Sequence, residues 1–348
     1  MAQAEAPAYR ALALQARCRS VNAARDRAEA RAWMKESIDR LRGQIASSVR
    51  FIGPDCRLVV LPEYVLTGHP VGEPIEVWAD RAAIEPGGPE EEGLAGIARD
   101  LGVFLAANAY ESDPNFPDLY FQACLIFDPS GATILRYRRM HSLLTPTPWD
   151  VWDRYLDVYG IDGVFPVART EIGNLACIAS DEILFPELAR CFAVRGAEVL
   201  CHPTSEAASP NITQKDIAKR ARALENMAYL VSANTGGIEG SPIPGDSTDG
   251  KSQVVDFLGR VLVDAAPGES MAAFAEIDLG ALRRERRRPG MGNLLSRARP
   301  AAFAEALGAT RLADPNSLGD GRAPGRGELL ENQRAVVARL IDEGVIQP

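Results

Sequence analysis

Lysine is scarce in this chain of 348 residues. Of its 38 basic residues only four are lysines, at positions 35, 215, 219 and 251, and there are only three histidines. No apolar run approaches the roughly 18 residues that a membrane-spanning helix needs. The N-terminus has no basic segment followed by an apolar one. We therefore expect no membrane partner and no secretory signal.

The six cysteines form no CxxC pair, and several lie inside apolar runs. Such thiols usually pack as small apolar side chains, which favours a reduced, cytoplasmic protein. Neither the cysteines nor the histidines have the spacing of metal ligands, so the sequence predicts no metal and no cofactor.

The net charge of −9 argues against binding to nucleic acid. The one dense basic cluster is "LRRERRRPG", at residues 282–290. In an acidic chain we interpret it as a solvated helix end or a subunit contact, and we expect no nucleic-acid partner.

Apolar runs of strand length alternate with helical patterns along most of the chain. Runs such as "CRLVVLPE" and "AEVLCHPTS" predict buried strands. The segment "YFQACLIFDPSGATILRYRR" predicts a hairpin with Asp-Pro-Ser-Gly at the turn. Helices are predicted over "EEEGLAGIARDLG", ending at Gly102, and over "TQKDIAKRARALENMA". Two buried sheets faced by helices satisfy this order, which is an α/β sandwich.

Residues 142–170 are predicted to form a loop-rich insertion, and a final helix is predicted over residues 328–342. No internal repeat or long linker is visible. We therefore expect one domain over residues 1–280 and a C-terminal extension over residues 281–348.

Polar residues follow three of the predicted strands at the point where each strand ends. Glu63 follows "LVVLP", Arg139 ends "ILRYRR", and Ser180 follows "LACIA". A carboxylate beside a buried strand is costly unless it is paired or has a chemical role. A nucleophile between a strand and a helix gains from the free N–H groups of the helix end.

Together these segments resemble the nitrilase, or carbon–nitrogen hydrolase, superfamily. The resemblance extends over about residues 9–280 and rests on "PEY", "YRRMH", the block "IG…FPELAR…RGAEVL…P" and "RARALENMAYLVSANTGG". It implies an αββα four-layer sandwich with two mixed sheets, assembled into homodimers or larger homo-oligomers. The segment from residue 281 onward is similar to the extensions through which family members associate.

The resemblance also implies a mechanism with three side chains. A glutamate serves as general base, a cysteine attacks an amide or nitrile carbon, and a lysine stabilises the tetrahedral intermediate. A thiol is the most easily activated nucleophile, and a carboxylate can take its proton.

Two of these three positions carry different residues in this chain. Glu63 matches the base, but Arg139 stands at the lysine position. Counting seven residues from Gly173 and five back from Phe185 puts Ser180, and not Cys177, at the position of the nucleophile. We interpret Cys177 as a core thiol. A second glutamate that many members carry between the lysine and the cysteine is absent from residues 139–170.

Both substitutions change the expected chemistry. Arginine can hold an oxyanion, but it binds carboxylates as a planar fork and can pair tightly with Glu63, which would lower the pKa of that carboxyl. A serine hydroxyl is much harder to deprotonate than a thiol and usually has a histidine base.

Four more polar residues are candidates for the substrate pocket: Asp181, Glu182, His202 and Glu206. Asp181 and Glu182 could equally be acids at a helix N-terminus. His202 could assist Ser180 or be a hydrogen-bonded histidine with no catalytic role.

Three hypotheses remain open at this stage. The chain is a hydrolase of small polar amide, carbamoyl or nitrile compounds that uses Glu63, Arg139 and Ser180. Alternatively, it is a catalytically inactive homologue that binds a small molecule or regulates a partner. In the third hypothesis no acyl intermediate forms, and Glu63 activates water or polarises the substrate directly.

Overall fold

The computed structural model, which describes residues 8–248, 250–309, 312–319 and 324–347, contains two six-stranded sheets and a two-stranded ribbon. In chain order the strands are β1 (Tyr9–Ala13), β2 (Cys18–Arg19), β3 (Cys56–Val60), β4 (Phe104–Asp113), β5 (Phe116–Phe127), β6 (Thr133–Arg138), β7 (Ala168–Thr170), β8 (Gly173–Cys177), β9 (Val199–Pro203), β10 (Tyr229–Ala233), β11 (Ile238–Glu239), β12 (Gln253–Val255), β13 (Val261–Asp264) and β14 (Phe274–Ile277).

The helices cover the outer faces of these sheets and form the C-terminal segment. They are α1 (Arg27–Ile52), α2 (Ile75–Ala82), α3 (Pro89–Leu101), α4 (Trp152–Val164), α5 (Pro186–Val194), α6 (Gln214–Glu225), α7 (Leu279–Arg287), α8 (Leu294–Arg297), α9 (Pro300–Gly308) and α10 (Arg326–Asp342).

Both sheets have a parallel centre and antiparallel edges. The first has the order β14-β1-β3-β4-β5-β6, with β1, β3 and β4 parallel. The second has the order β13-β12-β10-β9-β8-β7, with β10, β9 and β8 parallel. Because parallel strands end at the same edge of a sheet, the segments after β8 and β9 lie side by side. The segment after β3, in the other sheet, joins them through the Glu63 N–H, which donates to the Thr204 carbonyl at 3.3 Å.

Alternate residues of the strands face two different apolar layers. Leu58 and Val60 of β3 pack with the second sheet, whereas Val59 between them packs with α1 residues such as Met34 and Leu41. On the other side of the molecule, α6 contacts β10 and β12. The order helix, sheet, sheet, helix confirms the predicted αββα sandwich with mixed sheets.

The helix boundaries follow from local sequence signals. Asp26 caps α1 by accepting a hydrogen bond from the Glu29 N–H at 2.9 Å. Gly102 ends α3, as predicted, and it does so in the left-handed conformation. Thr213 caps α6 by accepting from the Asp216 N–H at 3.1 Å, which fixes where that helix begins.

The prediction of a loop-rich insertion over residues 142–170 is wrong. This segment contains the thirteen-residue helix α4, with non-helical backbone angles at Gly160. The ring of Tyr155 lies 6.0 Å from that of Phe116 and 6.1 Å from that of Phe121, both on β5. Burial of these aromatic rings stabilises a helix that its glycines disfavour.

The C-terminal segment contacts its own chain. Leu329 of α10 joins the apolar cluster under α1 and α3, and Arg326 donates to the Leu144 carbonyl at 2.6 Å. In the basic cluster, Arg283 pairs with Glu198 at 2.7 Å, and Arg286 donates to the Ala197 carbonyl at 2.6 Å. These arginines hold α7 on the second sheet. The predicted boundary at residue 280 and the role of the extension stay predictions.

Candidate active site

Ser180 lies in a strained turn just beyond β8. Its φ angle is +51°, a left-handed value that costs a residue with a side chain about 1–2 kcal/mol. A short 3₁₀ turn over Ser180–Leu184 follows, and then α5 begins. The Ser180 carbonyl accepts a hydrogen bond from His202 Nε2 at 2.8 Å, so the turn is anchored through its backbone and not through Oγ. Strained conformations of this kind concentrate at functional sites.

The Ser180 hydroxyl faces a lysine that the sequence did not single out. Lys215 Nζ, from the second residue of α6, lies 3.3 Å from Ser180 Oγ and 3.1 Å from Thr204 Oγ1. Burial lowers the pKa of Lys215, and the charges of Lys219 and Arg139 lower it further, while Glu63 and Glu206 act to raise it. One indication of this contact is present in the sequence. Lysine is scarce, and two of the four lysines, Lys215 and Lys219, lie one helical turn apart on α6.

Glu63 is fully buried, and protein donors occupy both of its oxygens. Gln122 Nε2 donates to Oε1 at 2.7 Å, and the Ser205 N–H donates to Oε2 at 3.0 Å. Arg139 Nη1 lies 3.4 Å from Oε1. In the part of the chain that the structure describes, no hydrogen bond joins Glu63 to Ser180 Oγ.

Arg139 divides its guanidinium among several partners instead of binding Glu63 as a fork. Its Nη1 donates to Gln122 Oε1 at 2.6 Å, its Nε donates to the His141 carbonyl at 2.6 Å, and its Nη2 pairs with Asp181. Arg139 therefore does not form the tight two-pronged ion pair with Glu63 that the sequence allows.

Asp181 and Glu182 follow Ser180 but have different surroundings. Asp181 is about half exposed and lines a cavity. Glu182 is fully buried and is not part of the cavity wall, and it accepts from the Ala179 N–H at 3.3 Å, as an acid at the start of a helical turn does. A role in substrate binding stays a prediction. The Glu182 carboxylate accepts from the Tyr137 hydroxyl and the Met140 N–H, both at 2.8 Å, and from the His141 N–H at 3.0 Å. Glu182 thus ties the segment after Arg139 to the turn that carries Ser180.

His202 is placed behind the turn and not beside the Ser180 hydroxyl. Because a carbonyl only accepts, Nε2 carries the proton that it donates to Ser180, and Nδ1 accepts from Ser232 Oγ at 2.9 Å. Burial and the nearby charge of Lys219 hold the pKa of His202 well below its usual value. The ring is thus a neutral hydrogen-bonding group with no free nitrogen for Ser180 Oγ and no exposed surface in the pocket.

Glu206 lies on the lysine side of the site. It is almost fully buried, and Lys219 Nζ lies 3.5 Å from its Oε2 and 3.5 Å from Asp216 Oδ1. Lys219 therefore partly neutralises Glu206, whereas Lys215 is directed to the two hydroxyl groups.

A cavity of about 610 Å³ lies next to Asp181. Its wall includes Met140, Asp181, Phe185 and residues of α10 such as Val336. The rings of His141 and Phe185 stack there at 4.0 Å. The lining of this cavity includes none of the three predicted catalytic residues. The cavity therefore lies beside these residues and does not enclose them.

Two kinds of feature are absent from the described ranges. No group of three or more His, Cys, Asp or Glu side chains is arranged to hold a metal ion. None of the described helices combines the length and the apolar character that crossing a membrane would require.

Known proteins share both the sequence pattern and the fold. The carbon–nitrogen hydrolase family model matches residues 13–287. A nitrilase of Pyrococcus abyssi is 32% identical over 234 residues, which are 66% of this chain and 80% of that protein. A formamidase of Bacillus thuringiensis is 29% identical over 211 residues, 60% of this chain and only 58% of the formamidase.

Solved structures agree at the level of the fold. A carbon–nitrogen hydrolase from Helicobacter pylori superposes with a TM-score of 0.64 and 22% identity, covering 86% of this chain and 98% of that one. An amidase from Nesterenkonia sp. gives a TM-score of 0.61 and 20% identity, covering 87% and 97%. The extent of the family match and the shared architecture show that this chain belongs to the carbon–nitrogen hydrolase family of the nitrilase superfamily.

Proposed function

We propose that the protein hydrolyses a non-peptide carbon–nitrogen bond in a small polar amide, carbamoyl or nitrile compound, with Ser180 as the nucleophile. The observation that carries this proposal is the strained backbone at Ser180, together with a buried amine at its hydroxyl. A site that had lost its chemistry would gain stability by relaxing such a turn and by replacing the buried polar amine with an apolar side chain.

For an amide, the reaction proceeds through an ester at Ser180. The hydroxyl oxygen attacks the carbonyl carbon, the hydroxyl proton is transferred to the leaving nitrogen, and the carbon–nitrogen bond breaks with release of a neutral amine or ammonia. Water then attacks the ester, the carboxylic acid departs, and the Ser180 hydroxyl is restored. In this proposal Arg139 supplies positive charge to the developing oxyanion, and Glu63, whose carboxylate oxygens each carry a second lone pair, accepts a proton from the attacking water.

The names of the relatives support the reaction class. They are a nitrilase and formamidases, and a structure of a glutamate-to-glutamine mutant of the Nesterenkonia amidase shows covalent addition of the acetamide moiety of fluoroacetamide at its active-site cysteine. Such an adduct indicates a nucleophilic side chain in that amidase, and the hydroxyl of Ser180 supports a nucleophile with oxygen in place of sulfur.

A binding role without catalysis is the second candidate. It is favoured by the way protein partners occupy Arg139, which leaves few guanidinium N–H groups for a substrate. In that case a small polar ligand would occupy the site and remain unchanged.

Turnover of a panel of small amides, carbamoyl compounds and nitriles distinguishes these functions. We expect Ser180→Ala to abolish turnover and the exposed Ser47→Ala to leave it intact. Turnover that survives Ser180→Ala but not Glu63→Gln would show that water attacks directly. No turnover by the wild-type protein, combined with saturable binding of a panel member, would establish the binding role.

We also infer that copies of the chain associate, and that the segment from residue 281 onward takes part. Exposed apolar side chains on α5 and α6, including Val194, Ile217 and Leu224, support an interface. Light scattering after size-exclusion chromatography tests this, since a monomer would contradict it. The six free cysteines support a reducing compartment such as the cytoplasm.

A further inference from the structure

The amine of Lys215 is hydrogen-bonded to the Ser180 hydroxyl. We infer that Lys215 accepts the proton of Ser180 and so acts as the general base that a serine in this position requires. The inference rests on the proposed function, because it assigns a further catalytic residue to the same reaction. The two atoms lie 3.3 Å apart, which is a long hydrogen bond before any substrate is bound.

The other candidate bases are directed elsewhere. Glu63 Oε1 accepts from Gln122, and its Oε2 accepts from the Ser205 N–H. His202 donates from Nε2 to the Ser180 carbonyl, so this nitrogen has no lone pair for a proton. Within the described residues, Lys215 is therefore the basic side chain that reaches Ser180 Oγ.

The surroundings of Lys215 make its ammonium group easier to deprotonate than that of an exposed lysine, which suits a general base. Burial lowers its pKa, and Lys219 and Arg139 add positive charge. Glu63 and Glu206 oppose this effect, but each has a cationic partner of its own, Arg139 at 3.4 Å and Lys219 at 3.5 Å.

Thr204 gives the amine its orientation. One amine N–H donates to Thr204 Oγ1 at 3.1 Å, which leaves the nitrogen lone pair available to Ser180. When Ser180 Oγ forms its bond to the substrate carbon, the proton passes to Lys215 Nζ. The resulting ammonium returns it to the leaving nitrogen as the carbon–nitrogen bond breaks. The ester and a neutral amine or ammonia are formed, and Lys215 is neutral again.

A fluorophosphonate probe tests this step without knowledge of the substrate. Ser180 Oγ attacks phosphorus, the phosphorus–fluorine bond breaks, and fluoride and the serine proton leave. Intact mass and peptide mapping then report the rate of labelling at Ser180. We expect the rate for the wild-type protein to rise with pH through a lowered lysine pKa and then to level off.

Two substitutions separate a base from a fixed positive charge. Lys215→Met removes both functions, whereas Lys215→Arg keeps the charge but does not accept a proton. We expect both to slow labelling by about 10²–10⁴-fold and to abolish its dependence on pH in that range. Full labelling rate in Lys215→Arg would overturn the inference.

Controls separate a chemical defect from a folding defect. Lys35→Met removes an exposed lysine of α1 and should label within twofold of the wild-type rate. Lys215→Ala should regain labelling when propylamine is added, in proportion to its unprotonated fraction. Circular dichroism verifies that each variant is folded. Absence of rescue by propylamine in a folded Lys215→Ala would contradict the role of the Lys215 amine as general base.

The two proposals fail in different ways. If Ser180→Ala abolishes amide turnover but Lys215→Met does not, the hydrolase stands and the base is not Lys215. If labelling depends on Lys215 but no member of the panel is hydrolysed, the base assignment stands and the proposed reaction is wrong. A wild-type protein whose Ser180 is never labelled overturns the role of Lys215.

Discussion

Replacing Glu182 by glutamine should destabilise the protein far more than a conservative change usually does. The carboxylate is fully buried and connects the Ser180 turn to the segment that follows Arg139. Glutamine has nearly the same shape but lacks the charge, and it presents an amide N–H₂ where one carboxylate oxygen accepts.

The expected magnitude follows from the donors that Glu182 satisfies. One oxygen accepts from the Met140 N–H at 2.8 Å and the His141 N–H at 3.0 Å. The other accepts from the Ala179 N–H at 3.3 Å, and both accept from the Tyr137 hydroxyl at 2.8 Å. If the glutamine oxygen faces Met140 and His141, its N–H₂ meets the Ala179 N–H, which stays unpaired. An unpaired buried donor costs about 1–3 kcal/mol, and the loss of charge assistance in the remaining bonds adds to this. We expect a total of about 2–4 kcal/mol.

Urea unfolding followed by circular dichroism measures this cost. The exposed Glu276→Gln provides a matched control and should stay within about 0.5 kcal/mol of the wild-type protein. If Glu182→Gln changes the free energy of unfolding as little as Glu276→Gln does, the hydrogen bonds of Glu182 do not hold the two segments together.

Two further predictions concern acid stability and the core thiol. Burial acts to raise the pKa of Glu198, but the hydrogen bond and the charge of Arg283 lower this pKa below its ordinary value. Glu198 therefore adds stability above about pH 4.3, the usual value for an unfolded chain, and this is lost as pH falls through the lowered pKa. The deficit of Glu198→Gln in urea unfolding should shrink from pH 6 towards pH 3, whereas a constant deficit would contradict the pairing. Cys177→Ala should label at Ser180 within twofold of the wild-type rate and cost about 1 kcal/mol. Loss of labelling in a folded Cys177→Ala would show that the Cys177 thiol takes part in the reaction.

Local patterns predicted most of the elements that carry the site. The hairpin β5–β6 was predicted by two apolar runs around Asp-Pro-Ser-Gly, and the end of α3 by Gly102. These signals act between neighbours in the chain, which is why sequence alone reveals them. Helix α4 was missed because the prolines before it, Pro146 and Pro148, indicate a loop, and its stability comes from aromatic rings that pack on a distant strand.

The same distinction applies to the site. The ends of strands predicted the positions of Glu63, Arg139 and Ser180, because a polar residue after a buried strand is conspicuous. The contact between Ser180 and Lys215 joins residues 35 positions apart in the chain and depends on how α6 packs on the second sheet. The burial of Glu182 depends in the same way on Tyr137, which lies in the opposite sheet. Such contacts follow from the packing of layers and leave no local pattern.

The turn at Ser180 also bears on how this site can change over generations. His202 holds the turn through the Ser180 carbonyl, and Glu182 holds it through the Ala179 N–H, so neither contact depends on which atom the side chain carries. Exchange of Ser180 for cysteine would therefore replace an oxygen nucleophile by a sulfur one and leave both of these hydrogen bonds in place. In this architecture the chemical identity of the nucleophile can change over evolution without a change in the backbone of the turn that carries it.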